Sequence, residues 1–111
     1  MHDKDAREQR LPHYPLASVK HAFSAGGYVI TSRVRRHMAS HDWMERDIVA
    51  CIGSIELEHF HKSQAHRMHR GLWLDIYRPF CAESRLYVKF TRELSGGRFV
   101  LLSFCIDGED H

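Results

Sequence analysis

Apolar residues recur at helical spacing in the first half of the chain, and they alternate with polar residues in the second half. Leu16, Val19 and Phe23 share one helix face, and Gly26 follows them as a residue that commonly ends helices. The predicted helices are residues 15–25, a second helix capped by Thr31 or Ser32 that runs to Met38, and a third capped by Asp42 that runs from Trp43 to Ile52. A short strand over residues 28–30 is predicted between the first two helices.

The alternating half of the chain predicts a sheet. The predicted strands are residues 60–65, 72–78, 86–90 and 99–106. Helices followed by strands with short connections are typical of an α+β fold, here an antiparallel sheet with the amino-terminal helices packed on one face. In the last strand, strict alternation places Val100, Leu102, Phe104 and Ile106 on one face and Phe99, Leu101, Ser103 and Cys105 on the other.

Length and composition fit one domain. The chain has 111 residues, of which 43% are hydrophobic and 27% are charged, an ordinary globular composition. We predict a flexible charged tail over residues 1–10, a single domain over residues 11–106 and an acidic tail over residues 107–111. No apolar run approaches the ~20 residues of a membrane span, and no signal peptide is expected, so we expect a cytoplasmic protein with no membrane partner.

The cysteines do not form a recognised pattern. Cys51, Cys81 and Cys105 are odd in number, and none of them belongs to a CxxC pair. This spacing predicts neither a disulfide framework nor a zinc finger. Cys105 has no neighbouring cation in the sequence, so we expect it to be a small apolar residue of the core.

Positive charge is concentrated in one segment. The whole chain has a net charge of +2, but residues 59–98 contain eight Lys or Arg and three acids, a net charge of +5. Residues 1–58 are neutral, and residues 99–111 have a net charge of −3. A basic segment of this kind fits an anionic ligand, with nucleic acid first, although a solvated basic sheet face would have the same composition.

Two interpretations compete for the histidines of the basic segment, His59, His61, His66 and His69. In the first, they bind a transition metal; the spacing matches no structural zinc template, and the neighbouring Lys and Arg side chains would repel a cation. In the second, which we favour, Lys and Arg neutralise a phosphate while His or Tyr moves protons near neutral pH. For any single histidine, an exposed residue without a role is the ordinary expectation.

Tyr87 and Lys89 lie two residues apart on a predicted strand. They therefore share one face, and Leu86, Val88 and Phe90 share the other. A Tyr–Lys pair opposite the core can line a ligand groove, and it can equally belong to a solvated sheet face.

Five blocks of the sequence occur together, in order, in one known family. They are Leu11-Pro12-His13-Tyr14-Pro15-Leu16, Phe60-His61-Lys62-Ser63, Trp73-Leu74-Asp75-Ile76-Tyr77-Arg78-Pro79, Leu86-Tyr87-Val88-Lys89 and Leu102-Ser103-Phe104. In this order and at this spacing, from about residue 11 to residue 105, the chain resembles the MqsR toxins, the motility quorum-sensing regulator family.

The resemblance implies a toxin of a type II toxin–antitoxin system with a RelE-like α+β fold. Such toxins are mRNA interferases, endoribonucleases that need no metal or other cofactor, and a GCU-like cleavage site is associated with the family. The implied partners are mRNA, an MqsA-like antitoxin protein and, through the antitoxin, operator DNA.

The resemblance also implies site residues. The active-site lysine of the family falls on Lys62, and its strand tyrosine falls on Tyr87. Since RNA supplies its own 2′-hydroxyl nucleophile, the chemistry needs cations and proton carriers, and His61 and His66 join these two as catalytic candidates. His61 and Lys62 can face one groove only if the strand bulges there or lies at the rim of the groove, so of the two histidines we favour His66, which shares parity with Lys62. The RNA-binding candidates are Arg67, Arg70, Trp73, Tyr77, Arg78 and Lys89. Trp73, Tyr77 and Tyr87 are the aromatic residues on which we expect bases to stack.

The sequence departs from the family at two polar active-site positions. Leu74 stands in place of a glutamine, and Cys105 stands in place of a lysine. The chain is then either an endoribonuclease that uses other groups or has reduced activity, or a catalytically weakened RelE-like module that binds RNA or the antitoxin. A metal-dependent hydrolase that uses the histidines is a third hypothesis, and loss of activity in EDTA would distinguish it.

Overall fold

The structure is a computed structural model that describes residues 8–81 and 83–109. Its helices are α1 (Leu16–Ser24), α2 (Ser32–His41) and α3 (Glu45–Gly53), followed by a short 3₁₀ helix (Leu57–His59). Its strands are β1 (Glu8–Gln9), β2 (Tyr28–Ile30), β3 (Phe60–Ala65), β4 (Trp73–Tyr77), β5 (Phe80–Cys81), β6 (Ser84–Arg92) and β7 (Phe99–Ile106). The predicted α+β class is therefore confirmed, and most boundaries lie within two residues of those predicted.

The sheet is mixed rather than purely antiparallel. Its strand order is β1-β3-β4-β6-β7-β2, with β5 paired to β6 at one end. The pairs along β3, β4, β6 and β7 are antiparallel, as predicted, but β2 lies parallel to β7, with Tyr28 opposite Phe99 and Ile30 opposite Leu101. β2 thus forms one edge of the sheet before α2 begins. Local periodicity cannot predict its pairing with β7, which is distant in sequence.

Helix ends follow capping chemistry. The Thr31 side chain accepts a hydrogen bond from the Val34 backbone N–H, so Thr31 caps α2 as one of the two predicted choices. Asp42 does not begin α3: its φ of 58° is left-handed, and it ends α2 instead. The start of α3 is stabilised by Asp47, whose carboxylate accepts from the Met44 N–H at 2.8 Å.

A β-bulge corrects the predicted faces of β7. Lys89 pairs with Ser103 while the next residue, Phe90, pairs with Leu101, so Leu102 is an extra residue in β7. Phe99 and Leu101 therefore join Phe104 in the hydrophobic core, although alternation had placed them on opposite faces. Ser103 and Cys105 keep the predicted face, away from the helices.

The core lies between the helices and one face of the sheet. Its members are buried apolar side chains that include Val19, Phe23, Val34, Met38, Ile48, Ile52, Leu86, Val88, Phe90, Leu101 and Phe104. Leu86, Val88 and Phe90 face the helices, as alternation predicted, and Tyr87 and Lys89 therefore project from the opposite face.

The buried carboxylate of Asp75 fastens the segment before α1 to the sheet. Asp75 is 0% exposed and accepts from the backbone N–H groups of His13 and Tyr14 at 3.1 and 2.9 Å and from the Ser63 hydroxyl at 2.6 Å. The Tyr14 hydroxyl also donates to the Trp73 carbonyl at 3.0 Å. Two of the sequence blocks, around Tyr14 and around Asp75, thus meet in space for a structural reason.

Cys51 of α3 and Cys81 of β5 are joined by a disulfide bond across 30 positions of sequence. The sequence predicted no disulfide framework and gave no sign of this single bond, because the fold brings together residues whose spacing contains no motif. Cys105 is 0% exposed, in agreement with its expected place in the interior.

The ends of the chain are partly described. The predicted charged tail of residues 1–10 lies outside the described residues up to residue 7, whereas Glu8 and Gln9 pair with Gln64 and Ser63 as β1, a correction at its inner end. Of the predicted acidic tail, residues 107–109 are described, and Asp107 donates its N–H to the Arg85 carbonyl at 2.8 Å. None of the described helices is long and apolar enough to cross a membrane.

Candidate active site

A row of cross-strand neighbours crosses the sheet on the face opposite the helices. Lys62 of β3 pairs with Ile76 of β4, Ile76 pairs with Lys89 of β6, and Lys89 pairs with Ser103 of β7. Directly opposed residues share a face, and adjacent strands are about 4.8 Å apart, so the two lysines stand roughly 10 Å apart at the backbone with Ile76 between them. The row defines the candidate active site.

A bulge in β3 places His61 beside this row. Phe60 pairs with Tyr77 and Lys62 pairs with Ile76, so His61 is the extra residue of the strand. A bulge is one of the two conditions under which His61 and Lys62 can serve one groove. Burial, together with the charges of Arg78 and Lys62, lowers the pKa of His61, so its neutral form predominates near neutral pH.

Lys62 is held by an acidic residue from outside the predicted domain. Its ammonium lies 3.0 Å from the Glu8 carboxylate, and the Gln64 side-chain amide donates to the same oxygen at 3.3 Å. These two hydrogen bonds lower the pKa of Glu8, which keeps the carboxylate charged. Glu8 therefore occupies a position where an anionic ligand would meet Lys62.

Lys89 is half-buried at the centre of the site. Burial, with Arg33 and Lys62 as neighbouring cations, lowers the pKa of its ammonium. It lines a pocket of about 380 Å³ together with residues from β1, β3, β4 and the loop after β3. The residues of this pocket are Glu8, Gln64, Ala65, His66, Arg67, Leu74 and Lys89.

Tyr87 lies beside an ion pair at the other end of the site. Burial raises the pKa of its hydroxyl, Cys105 and Asp107 act in the same direction, and Arg78 acts in the opposite direction. Arg78 donates through Nε and Nη2 to one oxygen of Asp107, with Nε at 2.9 Å. Arg78 and His61 also line a second pocket of about 300 Å³. The acidic tail thus begins with a group that partly neutralises a predicted RNA-binding cation.

The fold brings His66 and Arg67 to the site but fixes His66 from one side. The Nδ1 atom of His66 accepts from the backbone N–H groups of Met68 and His69 at 3.0 and 3.2 Å, which supports the turn after β3. Both His66 and Arg67 line the pocket that contains Lys89. Arg70 is exposed in the same loop.

The predicted stacking aromatics are corrected by the structure. Tyr77 is 0% exposed and stacks on Phe90 within the core, so it offers no surface to a base. Trp73 is half-buried, and its ring stacks on His13 at a centroid distance of 5.6 Å. Period-two alternation could not predict the contact between Trp73 and His13, because His13 belongs to a segment that is not a strand of the sheet.

Two site residues were missed by the sequence analysis. Glu8 belongs to the segment predicted to be a flexible tail, and only its pairing with β3 brings it to Lys62. Arg33 belongs to α2, on a predicted helix with no link to the basic segment, yet it is close enough to Lys89 to lower that residue's pKa. The one signal for Glu8 in the sequence is that it is an ionisable residue just before the block that begins at Leu11.

The histidines do not assemble into a metal site in the described part of the chain. Among residues 8–81 and 83–109, no group of three or more His, Cys, Asp or Glu side chains is placed to hold a metal ion. His59 accepts from the Glu56 N–H through Nδ1 at 2.9 Å, a capping contact. The rings of His66 and His69 lie 4.9 Å apart.

Comparison with known proteins identifies the family. The family model described as motility quorum-sensing regulator, toxin of MqsA, matches residues 11–105. The chain belongs to this family. It therefore has a toxin role in a toxin–antitoxin system, and an MqsA antitoxin is the partner that membership implies. No curated protein matches the chain.

Leu74 and Cys105, the two positions at which the resemblance implies polar residues, lie within the site. Leu74 lines the pocket that contains Lys89, and Cys105 is the cross-strand partner of Tyr87. Cys105 is 0% exposed, and so is Ile76, which lies outside the cluster that packs against the helices. With the 1% exposed Ser103, these residues form the floor under Lys89 and Tyr87. The site thus has a largely uncharged floor with cations above it.

Proposed function

We propose that this MqsR-family toxin is a metal-independent, sequence-preferring mRNA endoribonuclease that cleaves through attack of the RNA 2′-hydroxyl. The observation that supports it best is the row from Lys62 to Lys89 on the helix-free sheet face, with Tyr87 on the same strand face as Lys89. Since RNA contains its own nucleophile, positioned cations and proton carriers are sufficient for the chemistry.

The proposed roles follow from the surroundings of each side chain. Lys62 and Arg78 neutralise the phosphate in the transition state, after the phosphate displaces Glu8 and Asp107 from them. His61 is suited to accept a proton, because its lowered pKa keeps the ring neutral. Tyr87 is suited to donate one, because its raised pKa keeps the hydroxyl protonated. His66 contributes from the far side of the Lys89 pocket.

The RNA strand is proposed to follow the cations that surround the row. Arg67 and Arg70 of the loop after β3 contact the backbone, together with Lys89 and Arg78. Trp73 and Tyr77 have no part in this interface, since the structure uses both in packing. Base stacking is therefore assigned to Tyr87 among the aromatic residues predicted from the sequence.

A catalytically weakened regulatory module is the second candidate function. It is favoured by Leu74 and Cys105, which bring no polar group that could touch phosphate to the two family positions. Such a module would bind RNA or the antitoxin through the same basic face without cutting.

One experiment separates these functions. Purified protein is incubated with a long mRNA in EDTA, and the fragments are examined for 2′,3′-cyclic phosphate ends. Cleavage in EDTA with such ends supports the proposal. RNA that is bound but stays intact with or without added divalent metal overturns it in favour of the regulatory module, and cleavage that EDTA abolishes overturns it in favour of a metal-dependent hydrolase.

The proposed partners are mRNA, an MqsA-like antitoxin and, through that antitoxin, operator DNA. Free toxin would endanger cellular RNA, so we expect the chain to arrest growth when expressed alone and to be harmless when the antitoxin is co-expressed. Normal growth with intact transcripts during overexpression would contradict both the toxicity and the catalysis.

A further inference from the structure

Lys89 and Tyr87 are neighbouring ionisable side chains whose surroundings shift their pKa values in opposite directions: the pKa of Lys89 is lowered, and the pKa of Tyr87 is raised. They project from the same face of β6 two residues apart, about 6.6 Å along the strand. Both stand over the uncharged floor of Ile76, Ser103 and Cys105, which are at most 1% exposed. Pairs of groups whose pKa values are shifted in opposite directions by their surroundings are the usual arrangement of an acid and a base that work together at neutral pH.

The charged groups near Lys89 belong to several different elements. Burial lowers the pKa of Lys89, and two neighbouring cations, Arg33 of α2 and Lys62 of β3, lower it further. The pocket adds Arg67 and His66 of the loop and the Glu8 carboxylate of β1. Cys105 of β7 acts in the opposite direction, and Tyr87 lies on the same strand face.

The two lysines of the row differ in their counter-ions. The ammonium of Lys62 forms an ion pair with the Glu8 carboxylate, at 3.0 Å. No described carboxylate forms an ion pair with Lys89, and its cross-strand neighbour, Ser103, has a buried hydroxyl with no hydrogen-bond partner among the described residues. Lys89 therefore lacks the counter-ion that Lys62 has, and it is suited to give up its proton.

We propose that Lys89, rather than the neutral ring of His61, is the general base of RNA cleavage and that Tyr87 is the general acid, with Lys62 as the cation that holds the phosphate. This assignment rests on the proposed function. The Lys89 amine takes the proton of the 2′-hydroxyl, and the 2′-oxygen forms its bond to phosphorus. The bond from phosphorus to the 5′-oxygen breaks, and that oxygen takes the Tyr87 proton, which leaves a 2′,3′-cyclic phosphate and a 5′-hydroxyl. Water then returns a proton from Lys89 to Tyr87, and the protein is unchanged.

The decisive variant is Lys89→Arg. Arginine keeps the positive charge and the ability to bind phosphate, but it does not lose a proton in proteins. Single-turnover cleavage of a short RNA is measured between pH 5 and pH 9, and binding is measured separately with the same RNA carrying 2′-O-methyl groups. Lys20→Arg is the matched control, since Lys20 lies on the helical side and donates to the Ile55 carbonyl. Thermal unfolding verifies that each variant is folded.

If Lys89 is the base, Lys89→Arg retains affinity for the 2′-O-methyl RNA but loses about 10²-fold or more in cleavage rate, as expected for a general base. The parental rate rises with pH until Lys89 is deprotonated, and this rise is absent from the variant. Lys89→Ala is then rescued by added ethylamine. Parental cleavage and pH dependence in Lys89→Arg would overturn the assignment while leaving the proposed function intact. A parental protein that cuts no RNA would instead refute the proposed function, and this assignment with it.

Discussion

Removal of the Asp75 carboxylate is expected to destabilise the fold strongly without touching the candidate site. Asp75 accepts from two backbone N–H groups and one hydroxyl in a fully buried position. Hydrogen bonds to a charged group are worth about 1.5–3 kcal/mol each, and buried donors left without an acceptor cost about 1–3 kcal/mol. Asp75→Ala should therefore lower the free energy of unfolding by about 3–5 kcal/mol. Asp75→Asn, which retains one acceptor oxygen, should cost about 2–3 kcal/mol, and Ser63→Ala about 1 kcal/mol.

Urea denaturation followed by circular dichroism measures this series. With a slope of about 2 kcal/mol per molar urea, the loss in Asp75→Ala shifts the unfolding midpoint downward by about 2 M. Glu58→Gln is the control, because the Glu58 side chain is 81% exposed and its removal should leave the midpoint unchanged. A midpoint for Asp75→Ala equal to that of the control would refute the view that Asp75 fastens the segment before α1 to the sheet.

Three further changes test other parts of the structure. Glu8→Gln removes the carboxylate that competes with phosphate for Lys62, so RNA should bind more tightly in a low-salt filter assay; unchanged affinity would contradict that competition. Thr31→Ala should cost about 1 kcal/mol in urea unfolding through loss of the α2 cap, and no loss would show that the cap is not stabilising. Reduction of Cys51–Cys81 should cost about 3–4 kcal/mol for a loop of this length, and a Cys51→Ser, Cys81→Ser double variant should not respond to dithiothreitol.

The fold class and most elements follow from periodicity, because each amphipathic segment reports which face it buries. The β7 bulge at Leu102 shows where this reasoning stops: one extra residue exchanges the faces of everything before it, and alternation cannot place the extra residue. The parallel pairing of β2 with β7 similarly joins segments that are far apart in sequence, so local patterns cannot predict it. Asp42 was assigned to the wrong helix, since its side chain suits an N-cap while its backbone adopts the left-handed conformation that ends α2.

The candidate site was predictable in part. The shared face of Tyr87 and Lys89 follows from strand geometry, and the bulge at His61 is one of the two conditions that strand geometry set for His61 and Lys62 to act together. Tyr77 shows the opposite case, since an aromatic residue in a basic segment suits both RNA stacking and the core, and only tertiary packing decides between them. The roles of Lys62, Tyr87, His61 and His66 in RNA cleavage remain predictions that the fold permits.

The most direct test of the account compares cleavage rates of the parent, Lys62→Ala and Tyr87→Phe on one RNA in EDTA, with Arg46→Ala as an exposed cation on α3 for control. Loss of an ammonium from a developing dianionic phosphate should lower the rate roughly 10²-fold or more in Lys62→Ala. Tyr87→Phe should lose comparably, since its hydroxyl moves a proton, and Arg46→Ala should match the parent. A folded Lys62→Ala protein that cuts RNA at the parental rate would contradict the central claim that this sheet face is the active site.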